Sequence, residues 1–212
     1  QFRLSFMRIE NNILQGEIGT YSHTGDSFLK DFSLCRQTAF PGGGAWIIDH
    51  QGGFPRSVMF KGGIAQFFRL AHLCLFLTRG NRPTYSPHIH NDLVKWHTQE
   101  ERQACHLRIA EMLERHPQVK GMAISSWLDD PVIEKISPQL RWVRKIPAEN
   151  GCQYFRVGED ITGGALLRSA TRRKLYEEGK YIPTRYLAIW PRKSMLSWAK
   201  SVTHSEDFSI EV

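Results

Sequence analysis

Four side chains able to move a proton or hold a metal fall within ten residues, His88, His90, Asp92 and His97, with His106 shortly after them. If this segment is a strand, His88 and His90 project from one face. His90-Asn91-Asp92 then forms the H-x-D half of the facial triad that binds non-haem iron. An oxygenase of that kind also needs a later strand-borne histidine, whereas the chain after Asp92 turns helical and only His204 lies beyond His116. Without a metal, either imidazole suits general-base work because it titrates near neutrality. Two chemistries therefore stay open here: a base at His88 or His90 with Asp92 contacting the substrate and no metal ligands, or a metal-dependent enzyme at the His88, His90, Asp92 cluster.

A second constellation is Ser125-Ser126-Trp127-Leu128-Asp129-Asp130-Pro131, where hydroxyls, an indole and two carboxylates emerge together at the end of an apolar run. Strand ends in open α/β sheets are where ligands gather. Ser126 is a candidate catalytic residue there, and Ser125, Trp127 and Asp129 are candidate substrate contacts. The competing explanation is structural, since Asp-Pro is an ordinary helix start and a tryptophan fills a core. A third group, Arg168, Arg172 and Arg173 with Ser169 and Thr171 between them, offers guanidinium and hydroxyl donors to an anionic cofactor, or else forms a solvated helix face. No G-x-S-x-G elbow marks a nucleophilic serine.

The elements that must position these groups are readable from periodicity. Thr84 to His90 alternates as a strand, and Pro87 implies an edge or a strand start. Thr98 with Glu101 three residues later is a capping box, opening a helix over Glu100–His116 with Cys105, Ile109, Ala110, Met112 and Leu113 on one face. Val119–Leu128 is a buried strand, and Asp130-Pro131 launches a short helix that Pro138 stops. Leu140–Ile146, Tyr154–Val157 and Tyr181–Pro191 alternate as strands, Gly163–Tyr176 reads as a basic helix, and Arg192–Lys200 closes as a helix.

Upstream, Phe2, Leu4 and Phe6 alternate like a strand, and Asp26 or Ser27 caps a short helix. Pro41-Gly42-Gly43-Gly44 is a tight turn before a strand at Ala45–Ile48, because a phosphate-binding loop would need the strand before the glycines. Ile64 to Arg79 reads as a largely buried helix that includes His72 and ends at Arg79-Gly80. The expected architecture is α/β or α+β, a mixed central sheet flanked by helices, in a single domain over 1–212 with an N-terminal half 1–83 and a C-terminal half 84–204.

With 212 residues, 41% hydrophobic and 23% charged, the chain lies far from the composition of disorder. The balance of 28 Lys+Arg against 21 Asp+Glu, a net charge of +7, favours anionic partners. Four irregularly spaced cysteines without C-x-x-C read as reduced, mostly buried thiols. No apolar run approaches the roughly 20 residues of a membrane span, and the expected location is cytoplasmic.

From His88 to Ile136-Ser137 the chain resembles GNAT-like acyltransferases: His88-Ile89-His90 on a strand, the helix Glu100–His116, then Ser126-Trp127-Leu128-Asp129-Asp130-Pro131. The resemblance covers roughly 85–146. It implies an acyl-thioester donor held by backbone amides at a split in the sheet, and a small-molecule amine or hydroxyl acceptor deprotonated by a general base, here His88 or His90. Arg168, Arg172 and Arg173 would then meet the anionic donor. A Q/R-x-x-G-x-G/A pyrophosphate loop is lacking, so the donor is either coenzyme A or an acidic acyl carrier protein, with no tightly bound cofactor expected. A different class stays beside it: an accessory protein whose basic surface binds an acidic protein partner or, less favoured, nucleic acid.

Overall fold

The computed structural model describes residues 2–16, 21, 25–90, 93–94 and 97–207, with side chains to 203. Helices α1 (Phe2–Gln15) and α2 (Asp26–Cys35) precede the hairpin β1 (Ala39–Gly43) and β2 (Trp46–Gly52). After a 3-10 turn at Arg56–Phe60 come α3 (Gly63–His72), a π-helical extension at Leu73–Leu77, and β3 (Thr84–Ile89). Helix α4 (Gln99–Arg115) leads to β4 (Gly121–Ser126), followed by α5 (Ile133–Ile136), α6 (Trp142–Glu149) and β5 (Gln153–Glu159). The chain closes through α7 (Gly164–Leu167), α8 (Ala170–Glu177), β6 (Thr184–Pro191) and α9 (Arg192–Asp207).

The six strands form one mixed α+β sheet in the order β1-β2-β3-β4-β6-β5. All neighbours run antiparallel except β3 and β4, which are parallel and joined through α4. This crossover follows from the sequence pattern: two apolar runs separated by a seventeen-residue helix cannot return as a hairpin.

Helix α4 is the central pillar. Its buried stripe is Arg102, Cys105, His106, Ile109, Ala110 and Leu113. That stripe packs on Trp46 and Ile48 of β2, Tyr85 of β3, Met122 of β4 and Trp190 of β6, with Trp198 of α9 beside it. Ile109 and Leu113 are fully buried and contribute about 2 kcal/mol each relative to exposure. On the opposite face Ile47 and Ala39 meet Leu34 of α2, while Ala123, Leu187, Ile189 and Phe155 meet Leu70 and Leu73 of the α3 segment. All four cysteines are unpaired thiols. Gly43 and Gly44 take positive φ in the β1–β2 turn, as the glycine run predicts.

Three expectations are overturned. Residues 2–15 are helical, not strand-like, and the helix packs through polar groups, with Ser5 buried and Arg8 bonding Asp31. Leu140–Ile146 is a turn and a helix, because Trp142, Val143, Ile146 and Pro147 recur at helical spacing and Val143 and Pro147 are buried together. The α3 segment is not largely buried: Ile64, Phe68, Leu75 and Phe76 are exposed, and so is His72. Its cap also differs, since Arg79 itself takes the left-handed conformation (φ 50°) and Gly80 N–H donates to Cys74 O.

Candidate functional site

The β3–β4 ladder opens early, and Pro87 supplies a local reason. His90 N–H donates to Ala45 O (2.8 Å), so Ala45↔His90 and Ile47↔His88 are hydrogen-bonded pairs and Ile48↔Pro87 is not. The backbone of Tyr85, Pro87 and Ile89 therefore faces β4. Tyr85 pairs with Met122, Pro87 has no N–H to donate, and Ile89 O accepts from Lys30 Nζ of α2 (2.8 Å). The β3–β4 ladder stops after Tyr85↔Met122. Pro87 thus lies inside an interior strand, and is neither the edge nor the strand start that it was expected to mark.

On the α4 side of this opening lies a buried polar cluster. His97 packs edge-on to Trp46 (5.2 Å between centroids) and tilted against Trp142 (5.3 Å), and the Arg102 guanidinium lies over both indoles at 5.5 and 6.0 Å. Asp129, the last residue of the 3-10 turn Trp127–Asp129 that follows β4, is 1% exposed. Both Asp129 carboxylate oxygens, both His97 ring nitrogens and Arg102 Nε are buried without a hydrogen-bond partner. Buried polar atoms are ordinarily paired, so five such atoms on three neighbouring residues need a ligand or water to satisfy them.

Electrostatics follow from burial. Desolvation raises the Asp129 carboxyl from 3.8 to about 6, against the lowering pull of Arg102 and Arg144. Desolvation lowers His97 to about 4, with Arg102 and Arg168 adding to the effect, so the ring is neutral at physiological pH. Arg144 fixes the Asp129 backbone: its guanidinium sits 4.0 Å from the Tyr154 ring centroid and donates to Asp129 O (2.6 Å). Asp130 is a folding residue, its Oδ1 accepting from Val132 N–H (3.0 Å) and its Oδ2 from Thr184 N–H (3.1 Å). The adjoining cavity, walled by Gln99, Arg102, His106 and Trp142, holds about 10 Å³, room for one water at most.

The predicted site residues do not converge. His88 and His90 share a face, but it is the face covered by α2, opposite α4. His88 lies in a recess of about 190 Å³ with Asp26, Lys30 and Asp49, where burial and then Lys30 lower its pKa. His90 is 1% exposed and contacts Asp31 Oδ1 (3.3 Å) and Arg8 (3.0 Å). Burial raises the Asp31 carboxyl, but hydrogen bonds from His90, Arg8, Ser5 and Tyr21 outweigh it and hold the group well below the usual carboxylate range. His90 therefore fastens α1 and α2 to β3.

Asp92 lies outside the described residues. Among the described residues no three His, Cys, Asp or Glu side chains gather to hold a metal.

Ser126 Oγ accepts from Leu128 N–H (3.1 Å) as a turn cap, and Ser125 is exposed on β4. Trp127 packs against Ile133, Leu166 and Tyr181. The three arginines do not form one open anion-binding face. Arg172 is buried, stacks on Trp127 at 4.6 Å and donates to Ala165 O (2.8 Å) and Ser137 Oγ (3.1 Å), while Arg168 and Arg173 are exposed.

Arg102, Trp142 and Arg144 complete the site without having been singled out, and His97 comes to it from the histidine cluster. The signal for Arg102 and His106 was present: two polar residues on the apolar stripe of α4. No protein-family model, curated protein or solved structure matches the chain. Among the described residues, no helix is long and apolar enough to cross a membrane.

Proposed function

We propose that the protein is a GNAT-like acyltransferase that moves an acyl group from a thioester donor to a small amine or hydroxyl. The observation that carries this is the opening in the ladder between parallel β3 and β4, which stops after Tyr85↔Met122, together with a buried, unpartnered carboxylate on the α4 side. Such an opening is what a thioester's amide-bearing arm would enter, adding itself as a short strand. The strand order, with β6 inserted between β4 and β5, supports the same architecture.

Asp129 is assigned as the base in place of His88 or His90, because both histidines face α2 and His90 is committed to Asp31. With its carboxyl near 6, Asp129 is mostly ionised at pH 7 and accepts a proton from the acceptor. The freed lone pair attacks the thioester carbonyl, the carbon–sulfur bond breaks, and the thiolate leaves and is protonated. Arg102, within electrostatic reach of Asp129, offers its unpartnered Nε to the developing oxyanion. The cavity walled by Arg102 and Trp142 is only water-sized, so an acceptor entering there must displace side chains to approach the site. The first turn of α4 carries Glu100 and Glu101, which complement the helix dipole and repel a pyrophosphate. That repulsion fits the missing pyrophosphate loop and favours a donor whose phosphate binds elsewhere.

The test is to incubate purified protein with short- and medium-chain acyl-coenzyme A and acyl carrier protein donors, with amine and hydroxyl acceptors, and follow free thiol. The expected result is acceptor-dependent thiol release that Asp129→Asn abolishes. No release with any donor, together with no donor-induced shift in melting, overturns the assignment.

A further inference from the structure

Away from the sheet opening, a different surface carries an inference of its own. Phe60, Ile64, Phe68, Leu75 and Phe76 are 64 to 77% exposed, on one ridge formed by the 3-10 turn, α3 and its π-helical extension. Ile64, Phe68 and Leu75 stand at i, i+4 and i+11, one stripe of a helix. Phe60, Phe67 and Phe68 form a ring cluster with centroids 5.5 Å apart. The opposite side of the same helix is ordinary core, with Leu70 and Leu73 fully buried against β4, β5 and β6. The exposed stripe is thus a second apolar face on an already packed helix.

The segment that builds it carries charge of one sign. From His50 to Asn91 the sequence contains no aspartate or glutamate, yet it contains Arg56, Lys61, Arg69, Arg79 and Arg82. Among the described residues none of these five enters a recorded ion pair. A groove of about 540 Å³ runs beside the ridge, its walls apolar at Met59, Ala71, Cys74 and Leu75 and cationic at Arg56 and Arg79. Apolar floor and cationic walls match an amphiphile whose head is an anion.

We propose that this ridge is a docking surface for an anionic phospholipid bilayer, with the phenylalanines and leucine entering the acyl boundary and the five cations meeting lipid phosphates. Phenylalanine and leucine on one face with arginine and lysine at the flanks is the composition of helices that lie in the interface plane. Cations there draw the protein to anionic lipid within a Debye length. A surface-bound enzyme would meet long-chain acyl donors or lipid-soluble acceptors without taking them through water.

The experiment uses the whole chain and unilamellar vesicles of phosphatidylcholine alone or with a third phosphatidylglycerol, separated by flotation. Binding to the anionic vesicles that weakens as salt is raised, with little binding to phosphatidylcholine, is expected. Phe68→Ser/Phe76→Ser changes only exposed side chains, so circular dichroism should be unaltered while affinity falls about tenfold or more. Arg56→Gln/Arg79→Gln should weaken binding to anionic vesicles only. Failure of the folded protein to float with anionic vesicles overturns the proposal, and so does unchanged binding by the phenylalanine variant. If the protein is a dimer by light scattering and the phenylalanine variant is a monomer, the ridge joins two copies and the bilayer assignment falls.

Discussion

Asp129→Asn should stabilise the protein at pH 8 while removing its activity. Burial without a partner raises the Asp129 carboxyl from 3.8 to about 6, so the folded state binds its proton more tightly than the unfolded chain does. The stability this group contributes is fully present below pH 3.8 and is lost as pH rises through about 6. At pH 8 the native state therefore carries the full cost of a buried charge, roughly 3 kcal/mol at 1.36 kcal/mol per pKa unit. Asparagine keeps the shape and cannot ionise, so up to that amount is regained, offset by the desolvation of its own amide. For a chain of this length roughly 3 kcal/mol corresponds to a melting shift of about 6–12 °C. Thermal melts of wild type and variant followed by circular dichroism at pH 5 and pH 8 measure it. The variant should gain at pH 8 and gain about half as much at pH 5, where the folded wild-type carboxyl is mostly protonated but the unfolded one is already ionised. A variant less stable than wild type at pH 8 refutes the reasoning, because it would mean that the charge is well paired by Arg102 and Arg144. A gain in stability from losing a functional charge is the usual signature of an active-site residue.

Two further outcomes follow from the same electrostatics. Arg102→Met conserves volume and removes the cation that most lowers the Asp129 pKa, so the acid limb of the pH–rate profile for thiol release should move above about 6; an unmoved limb would separate Arg102 from Asp129. Asp31→Asn removes the acceptor shared by His90, Arg8, Ser5 and Tyr21. Because the folded pKa of Asp31 is depressed, its contribution is present above 3.8 and lost as pH falls, so the variant should lose about 3 kcal/mol at pH 7 and progressively less in acid by urea unfolding. Its thiol-release rate per folded molecule should be unchanged, which separates a structural His90–Asp31 pair from a catalytic one.

Much of the frame was legible. The Thr98 cap, realised by Glu101 N–H donating to Thr98 Oγ1, needs only four consecutive residues, as does the Asp130 turn over Val132. Pro87 read as an edge or a strand start, yet it lies inside an interior strand, where its missing N–H shortens only the ladder to β4. The N-terminal segment and Leu140–Ile146 were misread because short apolar runs fit both periods, and burial decides between them. Here Ser5 and Arg8 of α1 answer Asp31, more than twenty residues away. The exposed ridge of α3 was invisible for the complementary reason: an all-round apolar helix looks buried until its neighbours are known.

The sequence by itself determined where the chemistry-bearing residues sit along the chain and which elements carry them: histidines at the end of one strand, two aspartates at the end of another, a capped helix between. Tertiary structure alone decided which of them are free to act. Asp129 and Asp130 are adjacent and chemically identical, yet Thr184, distant by 54 residues, satisfies Asp130 and leaves Asp129 bare. His90 lost its freedom to an aspartate 59 residues away. A side chain's local spacing sets its direction, but its protonation and availability depend on partners that only folding brings into contact.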